Sequence, residues 1–133
     1  MSDEDLVQHA DDAYEAIRTL NHGTYRTLPA PLVYDLLGNL NNLGYGLAQV
    51  LGQMSTGLTR SLTDYDVYDR NRDPGVSVAL ANDALRTAAR LAHDIGALLA
   101  AAQTAINLQG HHGRQHDPQD GPRGDQSGRE GVR

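Results

Sequence analysis

Residues 78–106 read VALANDALRTAARLAHDIGALLAAAQTAI, and the spacing within them decides the fold class. Val78, Ala81, Leu85, Ala88, Ala92, Ile95, Leu99, Ala102 and Ile106 recur at alternating intervals of three and four. In an α-helix such residues fall on one stripe, and that stripe needs a partner surface to cover it. Leu36, Leu40, Leu43, Leu47, Val50 and Met54 repeat the rhythm, with Val33 in register ahead of them. Two matching seams in one short chain predict a helical hairpin or bundle.

Capping residues set the helix boundaries. Asp73 is suited to cap a helix with Pro74 at its first position, and Gly110 to stop it after Gln109. The helix before it is expected to begin near Pro31 and run to about Leu62. Gly38, Gly44, Gly46, Gly52 and Gly57 interrupt it, each costing about 1 kcal/mol relative to Ala. Tertiary contact must therefore hold this helix, and a kink or break around Gly44-Tyr45-Gly46 is an open alternative. A first helix is expected over residues 2–20. Ser2 and Asp5 form an approximate capping box there, Leu6, Ala10, Ala13, Ile17 and Leu20 form its inward stripe, and Asn21-His22-Gly23 is its stop. At about 1.5 Å per residue the three helices span roughly 28, 48 and 54 Å, so the first covers about half of the groove between the others.

The expected architecture is all-α: a three-helix antiparallel bundle over residues 1–109, with two long helices and a short N-terminal one. Residues 110–133 follow as a Gly/His/Arg-rich tail. With six Gly, two Pro and almost no apolar side chain, they cannot offset the entropy of ordering and are expected to be disordered.

Composition narrows the function. The chain has no Cys, which excludes disulfides and Cys-ligated zinc, and no Lys, Phe or Trp, a bias that fits a GC-rich genome. Its net charge of −6 lies wholly in residues 1–109, where 13 acidic side chains face seven arginines. An acidic domain repels phosphate backbones, so no nucleic-acid partner is expected. Residues 36–59 carry no charge. Their asparagines, glutamines and hydroxyl residues are too many for hydrocarbon, so no membrane span is expected either. The acidic N-terminus lacks the basic region of a signal peptide; a cytoplasmic location is expected, with secretion by a leaderless route left open.

No catalytic, cofactor or metal residue is assigned. His111, His112 and His116 have metal-ligand types, but lie in the Gly-rich tail with no carboxylate or thiol to fix geometry. Asp64, Asp66, Asp69 and Asp73 fail as a calcium loop, because Tyr68, Asp69 and Gly75 stand where an EF-hand needs an oxygen ligand, Gly and Glu. No Ser sits in a Gly-x-Ser-x-Gly turn, and no Gly-rich loop follows a strand. Asp83, Arg86, Arg90 and Asp94 have the spacing of intrahelical ion pairs on a solvated face. The six tyrosines are expected as core and interface fillers.

The surfaces point to association. Ala81, Ala88 and Ala102 share one heptad position, which lets a neighbouring helix approach closely, and Ala84, Leu91, Leu98 and Ala105 add a second row. So wide an apolar face implies two partners. The expected interaction seam is Leu36, Leu40, Leu43, Leu47, Val50 and Met54 with Leu85, Ala88, Ala92, Ile95, Leu99, Ala102 and Ile106. Leu40, Leu47, Leu85 and Leu99 are expected to carry the fold. The expected function is a non-enzymatic protein–protein interaction or accessory role, as a homodimer or with another helical protein. The alternatives are an acidic antitoxin-like binder and a secreted helical substrate. Tyr65 and Asp69 form a Tyr-x-x-x-Asp pattern that resembles the export signal of type VII secretion substrates, but residues 21–30 lack the Trp-x-Gly turn of those proteins.

Leu36-Leu37-Gly38-Asn39-Leu40 and Leu47-Ala48-Gln49-Val50-Leu51, within Leu32–Leu62, resemble a loose group of small helical proteins from high-GC actinobacteria. The likeness extends over the Ala-rich third helix and stops before the tail. It implies a helical fold and a genetic setting among plasmids, phage or integrated elements, and it transfers no functional residue.

Overall fold

The computed structural model describes residues 1–113, which form α1 (Asp3–Gly23), α2 (Ala30–Asp64) and α3 (Pro74–Ala105), with no strand among them. Residues 114–133, and with them His116 and most of the expected disordered tail, lie outside the described residues.

Local signals set the helix starts. The Ser2 hydroxyl accepts from the Asp5 amide and the Ser2 amide donates to the Asp5 carboxylate, both at 3.1 Å, completing the capping box. Asp73 accepts from the Gly75 amide at 3.0 Å with Pro74 behind it. The stops differ from expectation. Gly23 has no positive φ; instead the Thr24 amide and hydroxyl both donate to the Leu20 carbonyl, at 2.9 and 2.8 Å, and carry the helix to Gly23. α3 ends at Ala105 rather than near Gln109, in a turn through Ile106. α2 runs unbroken through Gly44-Tyr45-Gly46, so the break entertained above does not occur. At 35 residues it is the longest helix, roughly 52 Å, against 48 Å for α3 and 31 Å for α1.

Among the described residues, α2 and α3 are the one pair of helices that pack together. Tyr34 meets Gln103, Tyr45 meets His93, and Ser55 meets Asn82, so position rises on one helix as it falls on the other: an antiparallel hairpin. A bundle would seat α1 in the hairpin groove. Among the described residues α1 packs on neither helix, and none of its residues is buried. Six residues ending in extended Pro29 separate it from α2. The periodicity of α1 specifies an apolar stripe; it does not specify which surface covers it. No helix among the described residues is long and apolar enough to cross a membrane.

Candidate interaction face

Each long helix presents three neighbouring rows. The row of α2 that touches α3 is Leu37, Asn41, Gly44, Ala48, Leu51, Ser55 and Leu58, each buried or half-buried. On α3 it is Val78, Asn82, Leu85, Ala89, Ala92, Gly96, Leu99 and Gln103, again all buried or half-buried. Small residues alternate with leucines along these rows, and at Gly44 and Gly96 the backbones nearly touch. A Cβ built on Gly44 would lie 2.8 Å from the Gly96 nitrogen, and one on Gly96 would lie 3.0 Å from the Asn41 carbonyl. Gly38 leaves room for the Gln103 amide, which donates to the Tyr34 carbonyl at 3.0 Å.

Register is fixed by polar groups in the same seam. Ser55 Oγ donates to Asn82 Oδ1 at 2.8 Å, and Asn82 Nδ2 donates to Thr59 Oγ1 at 2.7 Å. Thr59 Oγ1 in turn donates to the Ser55 carbonyl at 3.0 Å. Ser55 and Asn82 are 6% and 5% exposed. Sliding one helix along the other would strand these groups without partners, at about 1–3 kcal/mol each. The hydrophobic core beside them is thin: Val78 and Ala92 are its only buried apolar side chains among the described residues.

One position before the contact row lies a second row on each helix. On α2 it is Leu36, Leu40, Leu43, Leu47, Val50 and Met54; on α3 it is Ala81, Ala84, Ala88, Leu91, Ile95, Leu98 and Ala102. One position after it lies a third row: Gly38, Asn42, Tyr45, Gln49, Gly52, Thr56 and Thr59 on α2, and Ala79, Asp83, Arg86, Arg90, His93, Ala97, Ala100 and Thr104 on α3, mostly polar and without a leucine, isoleucine or valine. In an antiparallel pair, rows displaced in the same direction share a side, because one helix is turned end over end relative to the other. Contacts between the third rows bear this out. The Tyr45 and His93 rings stand 5.1 Å apart, and Gly52, Thr56, Thr59, Arg60 and Arg86 line one open depression of about 410 Å³. The hairpin is therefore two-sided, polar on one face and apolar on the other.

Every residue expected in the interaction seam can now be placed. Leu85, Ala92 and Leu99 are in the contact row, between the helices. Ala88, Ile95 and Ala102 are in the apolar row of α3, and Ile106 is half-buried at its C-cap. All six seam residues of α2 are in its apolar row. Leu36 and Leu40 are half-buried, while Leu43, Leu47, Val50 and Met54 are exposed, Leu47 by 43% and Met54 by 52%. On α3, Leu91, Ile95 and Leu98 are exposed by 51–69%. Sequence reasoning missed Gly44, Gly96, Ser55 and Asn82 as contact residues. Their signal was a heptad repeat of small and polar residues one position away from the leucines.

The remaining candidates take plainer places. Asp83 and Arg86 make an exposed ion pair at 3.6 Å; Arg90 and Asp94 make none with each other. Tyr65 is exposed in the α2–α3 connector, and the Asp69 carboxylate accepts from the amides of Asn71 and Arg72 at 2.9 and 3.2 Å. Those bonds, the Asn71 amide foremost, hold the Asp69 pKa below its ordinary value. None of the six tyrosines is buried within the chain, against the expectation of core fillers, because the helices approach too closely for a ring to lie between them. Among the described residues no three His, Asp or Glu side chains are grouped to hold a metal ion.

Comparison with known protein families, curated proteins and solved structures finds no match to this chain.

Proposed function

We propose that this chain is a non-enzymatic interaction protein, an accessory or scaffold component that self-associates through the apolar face of its α2/α3 hairpin. One observation carries this reading: the exposed apolar rows of both long helices lie on the same side. α2 brings no charge to that side, since residues 36–59 have none. Leu43, Leu47, Val50, Met54, Leu91, Ile95 and Leu98 form one contiguous apolar patch, each 43–69% exposed, and a patch of that kind marks an interaction site. A second copy brings the same uncovered apolar surfaces, and association about a two-fold axis lets each chain cover the other's. The thin hairpin core supports the same conclusion, because two buried apolar side chains are little to hold a domain folded in water.

Light scattering tests the proposal. The unmodified chain should have twice its 14.4 kDa mass at micromolar concentration. Leu47→Asp, placing a carboxylate on the apolar face, should return it to the mass of one chain, whereas Gln49→Asp on the polar face should leave the doubled mass intact. A single-chain mass for the unmodified protein, or a Leu47→Asp variant that stays doubled, refutes it.

A further inference from the structure

We infer that the segment of the second copy seated on the apolar face is its α1, so that two chains exchange N-terminal helices and each completes the other's three-helix bundle. The inference rests on the self-association proposed above and names which part of the partner is engaged.

Two uncovered apolar surfaces exist on the same chain. Leu6, Ala10, Ala13 and Ile17 form a stripe along α1 that is exposed throughout. The apolar rows of the hairpin are the other surface. Their lengths agree. The exposed α1 stripe from Leu6 to Ile17 covers roughly 16 Å, and the exposed α2 row from Leu43 to Met54 covers roughly 16 Å as well. Most of the stability of a protein helix comes from packing its amphipathic face, and α1 packs its stripe on nothing within the described residues of its own chain.

Charge then selects the pairing. α1 carries six acidic side chains against one arginine. Two such helices side by side would repel each other, which removes α1-on-α1 pairing as a way to cover the stripe. The α2 side of the hairpin face is uncharged from Leu36 to Thr59, so an acidic helix laid along it meets no like charge there and keeps its carboxylates toward water. Packing hairpin on hairpin would cover the long helices but leave both α1 stripes bare. Exchange covers all four surfaces. Within one chain α1 stands clear of its own hairpin, which leaves that face open to the partner's helix.

The absence of cysteine makes a clean test. Ala13→Cys, at the middle of the α1 stripe, and Ala88→Cys, in the apolar row of α3, are small-for-small changes. One variant is ¹⁵N-labelled, and the two are unfolded together, refolded and treated with a short bis-maleimide. Mass spectrometry should find a product of twice the chain mass holding one heavy and one light chain. Adding Ile17→Asp to the Ala13→Cys chain should abolish that product. Doubled mass by light scattering with no mixed Ala13–Ala88 product overturns the exchange and leaves self-association standing. So does a double Ala13→Cys/Ala88→Cys variant that links only within one chain. A single-chain mass overturns both. Ala10→Cys with Leu47→Cys repeats the test at independent positions, and far-UV circular dichroism confirms that each variant remains helical.

Discussion

Gly44→Ala tests the closest feature of the hairpin, the approach of α2 to α3. The new methyl would lie 2.8 Å from the Gly96 nitrogen, 2.9 Å from its Cα and 3.0 Å from the Ala92 carbonyl. All three are backbone atoms, so no side chain can swing away. Restoring ordinary contact at 3.4 Å needs the helices to separate locally by about 0.6 Å, and overpacking of that kind costs about 1–3 kcal/mol. Replacing a helical glycine gains about 1 kcal/mol in propensity. The net expectation is a loss of about 0–2 kcal/mol. Gly46→Ala is the internal control: nothing lies within 4 Å of its Cβ position, so it should show the propensity gain alone. The two variants should therefore differ by about 1–3 kcal/mol. Gly96→Ala should fall between them, because one of its neighbours is the movable Tyr45 ring, although the Asn41 carbonyl at 3.0 Å is not. Urea unfolding followed by circular dichroism measures the series, at one fixed protein concentration because association shifts the midpoint. If Gly44→Ala stabilises as much as Gly46→Ala, the helices do not meet backbone to backbone and the placement of the apolar rows falls with that contact.

Two further outcomes follow from the seam and the connector. Asn82→Ala leaves the buried Ser55 hydroxyl without its acceptor and should lower stability by about 1–3 kcal/mol; in a double-mutant cycle with Ser55→Ala the two should couple by at least about 0.5 kcal/mol, and strict additivity would show that the bond contributes nothing. Asp69 has a folded pKa below its unfolded value, so its contribution is present above the ordinary value of 3.8 and is lost as pH falls through the lower, folded one. Stability measured across that range should decline less steeply in Asp69→Asn, and identical profiles would remove the connector from the pH response.

The helices themselves were legible in the sequence. Ser2 with Asp5, and Asp73 with Pro74, announced two starts through side chains that bond the first free amides, and the 3-4 spacing announced the long faces. The partner of each face was not legible. Large leucines draw attention as a seam, yet where the two backbones meet the contact rows carry Gly44, Ser55, Ala92 and Gly96 beside their own leucines, and the heptad leucines of α2 fall on the flank. In α3 the expected stripe is split. Val78, Leu85, Ala92 and Leu99 face α2, while Ala81, Ala88, Ile95 and Ala102 fall in the apolar row. A heptad pattern records that a face is apolar; which residues meet a given neighbour depends on how near that neighbour comes. The stop of α1 was misjudged for a smaller reason, since a threonine hydroxyl and amide can close a helix that a glycine seemed bound to end.

A hairpin greasy on one face and polar on the other also limits how large an assembly can grow. With Tyr45, Gln49, Thr56, Arg60, Arg86 and His93, the reverse side has no row of leucines to match the apolar one. In the proposed reciprocal exchange a two-fold axis closes the assembly at two chains, whereas the same helix passed one way from copy to copy would build an open filament.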